Sequence, residues 1–215
     1  IKKSGEKAAL IVQDLLTLAR KGLPDLSIVN LNTLVEEYLK SPEHTALLIH
    51  HPLVTISSNL DKKLLNTSAS GVHISKILMN LATNAAEAMP DGGTIEILTR
   101  NLYIDTPLPG YRNIKEGEYI QLQVSDNGNG MSPEDRDRIF EPFYTKKTMG
   151  RSGSGLGMAM VWGAVHDHNG YITVSSVPGK ESTISIYLPA VRKDIAEDST
   201  SISIEIFSGK NEKIL

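Results

Sequence analysis

The residues in this 215-residue chain whose types and spacing could do chemistry fall in three stretches. The first is Asp126-Asn127-Gly128-Asn129-Gly130, which follows the alternating run Tyr119 to Val124. That run predicts a strand, so an acid at a strand end leads into glycines that let the backbone come close to a ligand. Alone, such a turn is common. The second is Asn80 and Asn84, four apart on a predicted helix from about Val72 to Met89. They lie with His73 and Glu87 along the edge of a stripe of Ile74, Leu78, Leu81, Ala85 and Ala88. Asn is a poor helix former. The pair reads either as interhelical hydrogen bonding or as amide oxygens for a hard cation such as Mg²⁺, which takes oxygen ligands and keeps much of its water. The third is the glycine run Gly150 to Gly157, which opens a predicted helix from Leu156 to about His168. A helix N-terminus offers free N–H groups to phosphate. Taken alone, this run reads more simply as a surface loop. It lacks the Gly-Lys-Ser/Thr of a P-loop, and no strand immediately precedes it.

Other elements must position these residues. Ser132-Pro133-Glu134-Asp135 has the N-cap, N1 proline and first-turn acids of a short helix. Phe140-Glu141-Pro142-Phe143 follows, beside the basic pair Lys146-Lys147. Upstream, a helix is expected over Leu31 to Leu39, closed by Ser41-Pro42, with short strands at Ala46 to Ile49 and Val54 to Ile56. His50 and His51 between them, and His44, lack a third ligand and are expected to face solvent. A strand from Thr94 to Leu102 follows the turn Pro90 to Gly93, and Thr106 to Gly117 must be a loop. Two strands, Tyr171 to Ser176 and Ser182 to Leu188, flank Pro178-Gly179-Lys180, with Pro189 closing the compact part.

Ile1 to Lys21 is expected to be a helix, with an apolar seam of Ile1, Ala8 and Leu15 beside Ile11 and Leu18. Gly22 and Pro24 end it. The seam suits the tail of a helical hairpin or dimer stalk, or an amphipathic helix packed on its own domain. The chain begins at Ile1 and stops at Leu215 within an apolar stretch, so it reads as a piece of a longer protein.

The composition is that of an ordinary globular domain, 40% hydrophobic and 22% charged. A formal net charge of -3 gives no electrostatic case for nucleic acid. With no cysteine, disulfides, thiolate metal sites and cysteine nucleophiles are excluded. No apolar run approaches the roughly 20 residues that span a bilayer.

Four stretches in fixed order give the chain a family likeness. Asn80-Leu81-Ala82-Thr83-Asn84-Ala85-Ala86-Glu87-Ala88-Met89, Asp126 to Gly130, Phe140-Glu141-Pro142-Phe143 and Gly153-Ser154-Gly155-Leu156-Gly157 resemble the N, first glycine, F and second glycine boxes of sensor histidine kinases. These kinases share a superfamily with gyrase B, MutL and heat-shock chaperone ATPases. The likeness covers about Leu26 to Pro189. It implies an α+β fold of Bergerat type: a two-layer α/β sandwich, its mixed, mostly antiparallel sheet covered by helices on one face.

The resemblance also implies roles. Asp126 would accept a hydrogen bond from the adenine amine, and Gly128 and Gly130 would let the backbone approach the base. Asn84 would hold Mg²⁺, with Asn80 beside it near the phosphates. Lys146, Lys147 and Arg151 would meet the phosphates. Gly153, Gly155 and Gly157 would hinge a lid, with Phe140 and Leu156 as cofactor-binding members of their boxes. Thr183 matches a threonine near the adenine. Gyrase-like relatives carry a glutamate where this chain has Asn80, and an amide cannot take a proton from water. Phosphoryl transfer to a protein is therefore expected over hydrolysis. Glu181 departs from the family, in a place usually held by glycine.

The ends fit the same picture. Residues 1–22 resemble the second helix of the dimerisation hairpin whose first helix carries the acceptor histidine, 23–190 the ATP-binding domain, and 191–215 a linker towards a receiver domain. The expected function is ATP·Mg²⁺ binding and autophosphorylation in two-component phosphorelay signalling. The implied partners are the histidine-bearing helices and, indirectly, a response-regulator receiver domain, in a cytoplasmic region of a homodimeric parent. The competing readings are a gyrase- or chaperone-like ATPase and a non-catalytic nucleotide-binding module.

Overall fold

The computed structural model describes residues 25–111, 114–145 and 155–193. The helix expected over Ile1 to Lys21 and the linker beyond Lys193 lie outside them. The elements run β1 (Ser27–Val29), α1 (Leu31–Leu39), α2 (Pro42–His50), β2 (Val54–Leu60), β3 (Asn66–Ala69), α3 (Gly71–Glu87), β4 (Gly93–Ile104), β5 (Gly117–Asp126), α4 (Pro133–Arg138), α5 (Gly157–Asp167), β6 (Tyr171–Val177) and β7 (Glu181–Val191).

The strands form one seven-stranded sheet in the order β1-β3-β7-β5-β4-β2, with β6 also paired to β7. Only β2 and β4 run parallel. β6 takes the first part of β7, from Glu181 to Tyr187, and β3 takes its end at Ala190 and Val191. β7 is therefore long because two strands share one of its edges, and it continues through Pro189, where the sequence pattern stops it.

Alternation decides which face is core. Ile120, Leu122 and Val124 of β5 and Ile184, Ile186 and Leu188 of β7 join one buried cluster with Leu31 and Val35 of α1, Ile74, Ile77, Leu78 and Leu81 of α3, and Val161 and Val165 of α5. The residues between them face the other way. There Arg100 donates to Gln121, Gln121 to Gln123 at 3.2 Å and Gln123 to Ser125 at 3.1 Å. At one end of this second face, Ile104, Tyr119 and Tyr187 form a smaller cluster with Leu108, Ile114 and Tyr171. The loop after β4 is thus anchored by apolar contacts of its own.

One expectation fails locally, and two short strands were not foreseen. Ala46 to Ile49 is helical, not a strand: Ser41 N-caps α2 by accepting from the His44 amide at 3.2 Å, with Pro42 in the first turn. Ser41-Pro42 therefore starts a helix rather than only ending one. β1 and β3 escape the sequence pattern because they have only three and four residues, and β3 is largely polar. The start of α4 agrees closely: Ser132 and Asp135 form a reciprocal capping box.

Candidate functional site

A cavity of about 560 Å³ opens between α3, the end of β5, the start of β7, and the starts of α4 and α5. That volume suits a small organic ligand. Its apolar lining includes Leu81, Ala85, Val124, Met158 and Ile184; its polar lining includes Asn80, Asn84, Asp126, Asp135 and Ser182.

The helical period brings Asn80, Thr83, Asn84 and Glu87 to the cavity while Leu78, Leu81 and Ala85 hold the helix to the sheet. His73, expected on the same edge, instead packs edge-on against His168, with ring centroids 5.6 Å apart. Asp126 ends β5 and lines the cavity. Its carboxylate accepts from the Gly128 amide at 3.0 Å. Burial pushes its pKa above the ordinary carboxylate value; the Gly128 bond opposes this, and the charge of Glu181 adds to it.

The turn beyond Asp126 is wedged between two elements. Asn129 donates from its backbone to the Ala88 carbonyl at 3.0 Å and accepts from the Gly179 amide at 2.7 Å. Gly130 sits at φ 62°, and a side chain there would strike the Val177 carbonyl. Only glycine satisfies both the conformation and the contact.

The expected site residues divide accordingly. Asn80, Asn84, Asp126, Gly130, Gly155 and Gly157 meet at the cavity. Gly128 lies behind it, against the Ala88 carbonyl and Met89. Phe140 is half-buried against the main core, and Leu156 is wholly buried, while Ile139 and Tyr144 line the cavity instead. Thr183 is a correction. It faces the opposite side of the sheet, 3.0 Å from the Ser125 hydroxyl, and its neighbours Ser182 and Ile184 line the cavity. The parity of β7 carries the signal that finds Ser182: Ile186 and Leu188 are core residues in phase with it. Lys146, Lys147, Arg151 and Gly153 lie outside the described residues.

Asp135 and Tyr144 were not singled out by sequence spacing. Tyr144 donates its hydroxyl to Asp135 at 2.6 Å, and the Arg138 guanidinium lies 4.3 Å from the centre of the Tyr144 ring. Among the described residues no group of three His, Cys, Asp or Glu could hold a metal. His44 packs its ring edge on Tyr38. The cavity's polar lining includes amide and carboxylate oxygens, which suit a hard cation that keeps other ligands of its own. No helix among the described residues is long and apolar enough to cross a membrane.

The family model for Histidine kinase-, DNA gyrase B-, and HSP90-like ATPase matches residues 69–192. The chain belongs to that family, and its relatives are sensor histidine kinases. The sensor kinase CckA of Brucella abortus is 31% identical over 94% of this chain and 21% of its own length. The sensor histidine kinase ZraS of Escherichia coli is 28% identical over 89% of this chain and 37% of its own. The chain thus spans about a fifth to two fifths of these curated relatives. Among solved structures, full-length ShkA in complex with AMPPNP has a TM-score of 0.67 at 24% identity, over 90% of this chain and 38% of that one. The catalytic domain of the histidine kinase ThkA has a TM-score of 0.60 at 24% identity, over 77% of this chain and 96% of that one. The fold is that of histidine kinase catalytic domains.

Proposed function

We propose that this chain binds ATP with Mg²⁺ in the cavity and donates the γ-phosphoryl group to a histidine on dimerisation helices of a two-component sensor kinase. The observation that carries this reading is Asp126: a half-buried carboxylate at the end of β5, in an apolar-lined cavity opposite the helix bearing Asn84. An acceptor there pairs with the adenine amine and leaves the guanine carbonyl repelled, so ATP is selected over GTP.

Asn84 would supply an amide oxygen to Mg²⁺, with Asn80 beside it. Mg²⁺, when bound, neutralises charge on the phosphates. Lys146, Lys147 and Arg151 would add positive charge at the same end, and Gly153, Gly155 and Gly157 would hinge the segment that covers the nucleotide. In the transfer, a P–N bond forms to an imidazole nitrogen as the bond to the ADP oxygen breaks, and the proton on the ring's other nitrogen passes to solvent. Residue 80 is an amide, so it cannot deprotonate an attacking water, which favours transfer over hydrolysis. The wider arrangement is a homodimeric parent with a cytoplasmic kinase region that passes phosphate on to a receiver domain.

The test is a titration of the chain with ATP and GTP, each with Mg²⁺. Saturable binding of ATP with weaker binding of GTP is expected; equal affinity sinks the adenine-selecting role of Asp126. A longer chain carrying the acceptor helix should then form acid-labile phosphohistidine with ATP.

A further inference from the structure

The β4–β5 backbone ladder ends where Ile95 faces Asp126. The next step would pair Thr94 with Asn127. There the Thr94 amide donates to a side chain instead, the Asn127 Oδ1, at 2.8 Å. The Asn127 backbone is thereby released to turn, while its side chain keeps the strand end attached to β4. The start of β4 is shaped around this contact. A side chain at Gly93 would run into both the Asn127 Oδ1 and the Met89 sulfur. Glycine at 93 is therefore a matter of space, since the asparagine amide and Met89 fill the volume a Cβ would need.

We infer that Asn127 is a positioning residue for Asp126: its amide extends the β4–β5 ladder by one step and holds the cavity-lining carboxylate in register. The inference rests on the adenine-selecting role proposed for Asp126. On its other side the turn is held by Asn129 to Ala88 and Gly179, so the Thr94 bond is what ties it to β4. Asn127 and Thr94 are both exposed, so water can replace the lost partner and stability depends little on this bond. Its effect falls on where Asp126 sits.

The test uses the 215-residue chain. ATP and GTP affinities, each with Mg²⁺, and thermal midpoints are measured for the parent chain, Asn127→Ala, Asn127→Asp and Asp126→Asn. Asn127→Ala should weaken ATP binding about three- to tenfold and narrow the ATP-over-GTP ratio, with little change in midpoint. Asn127→Asp, which keeps the acceptor oxygen, should retain most of both. Gly93→Ala should reproduce the Asn127→Ala defect in the parent chain and add less to it in the Asn127→Ala background. Asn127→Ala with unchanged affinity and ratio, or a loss that tracks unfolding, overturns the inference. If Asp126→Asn loses selectivity while Asn127→Ala does not, only the positioning role fails. If Asp126→Asn also keeps selectivity, or the parent chain binds neither nucleotide, the adenine reading fails and takes this inference with it.

Discussion

The backbone amide of Ser70 donates to Nε2 of His168 at 2.9 Å, and His168 Nδ1 donates to the Ala164 carbonyl. One buried imidazole so joins the end of α5 to the start of α3, the two helices that flank the cavity. With Nε2 accepting and Nδ1 donating, the ring is the neutral Nδ1–H tautomer. His168→Ala would leave the Ser70 amide unpaired in a buried position and open a void. It should cost about 2–4 kcal/mol, read as a lower midpoint in urea unfolding. A cost below about 1 kcal/mol would show that the joint is dispensable.

His73 rests edge-on against His168, and its Nδ1 is buried without a partner. Burial lowers its pKa from 6.5; nearby His168 and Lys76 lower it further, and Asp167 works against them. The unfolded chain then binds this proton more readily than the folded one. The contribution of His73 to stability is present above 6.5 and is lost as pH falls from there towards the folded value. Urea midpoints should drop across that window, and His73→Phe should flatten the drop. The same slope in the variant would assign it to another group.

Asp126 has the opposite sign. Its raised pKa means that the folded chain holds the proton more readily, so its contribution to stability is lost as pH rises through the raised value. Nucleotide binding should run the other way, because the ionised carboxylate is the better acceptor. ATP affinity should fall as pH drops through the same value, and Asp126→Asn should remove that dependence. Titrations at a series of pH values would show it; identical pH profiles for both chains would sink it.

Ser182 and Thr183 are neighbours on β7 with opposite fates. Ser182→Leu should push a side chain into the cavity and reduce ATP affinity roughly tenfold or more. Thr183→Leu should leave affinity within about twofold and disturb only the polar face with Ser125. Equal losses in the two variants would contradict the phase of the strand.

Ser41 is the cap of α2. Ser41→Ala should destabilise the chain by about 1 kcal/mol, measurable in urea, while Ser41→Asp should be nearly neutral. No change for alanine would mean that the preceding helix, not the cap, holds this turn.

Much of this was legible beforehand because the signals are local. Leu31 to Leu39 forms its helix at the expected ends, and the Ser132–Asp135 capping box is written within four residues. The apolar stripe of α3 comes with its asparagines already in phase. What was not legible either lacked a decisive local period or depended on distant partners. Ala46 to Ile49 is a short apolar run with no period of its own to separate strand from helix, and the Ser41 cap settles it. β3 is polar enough to pass for loop; it is a strand because β1 and the end of β7 pair with it.

By itself the sequence determined the order of the four boxes, the helix and strand periods, and the presence of Asp126 at a strand end, since these are properties of neighbouring residues. Only the tertiary structure decided which of those residues share a cavity. It turned Thr183 away and Ser182 inward, put Gly128 behind the cavity, and let a side chain at Asn127 complete the β4–β5 ladder. Each of these is set by packing between segments far apart in the chain, where a one-residue change of phase reverses the face.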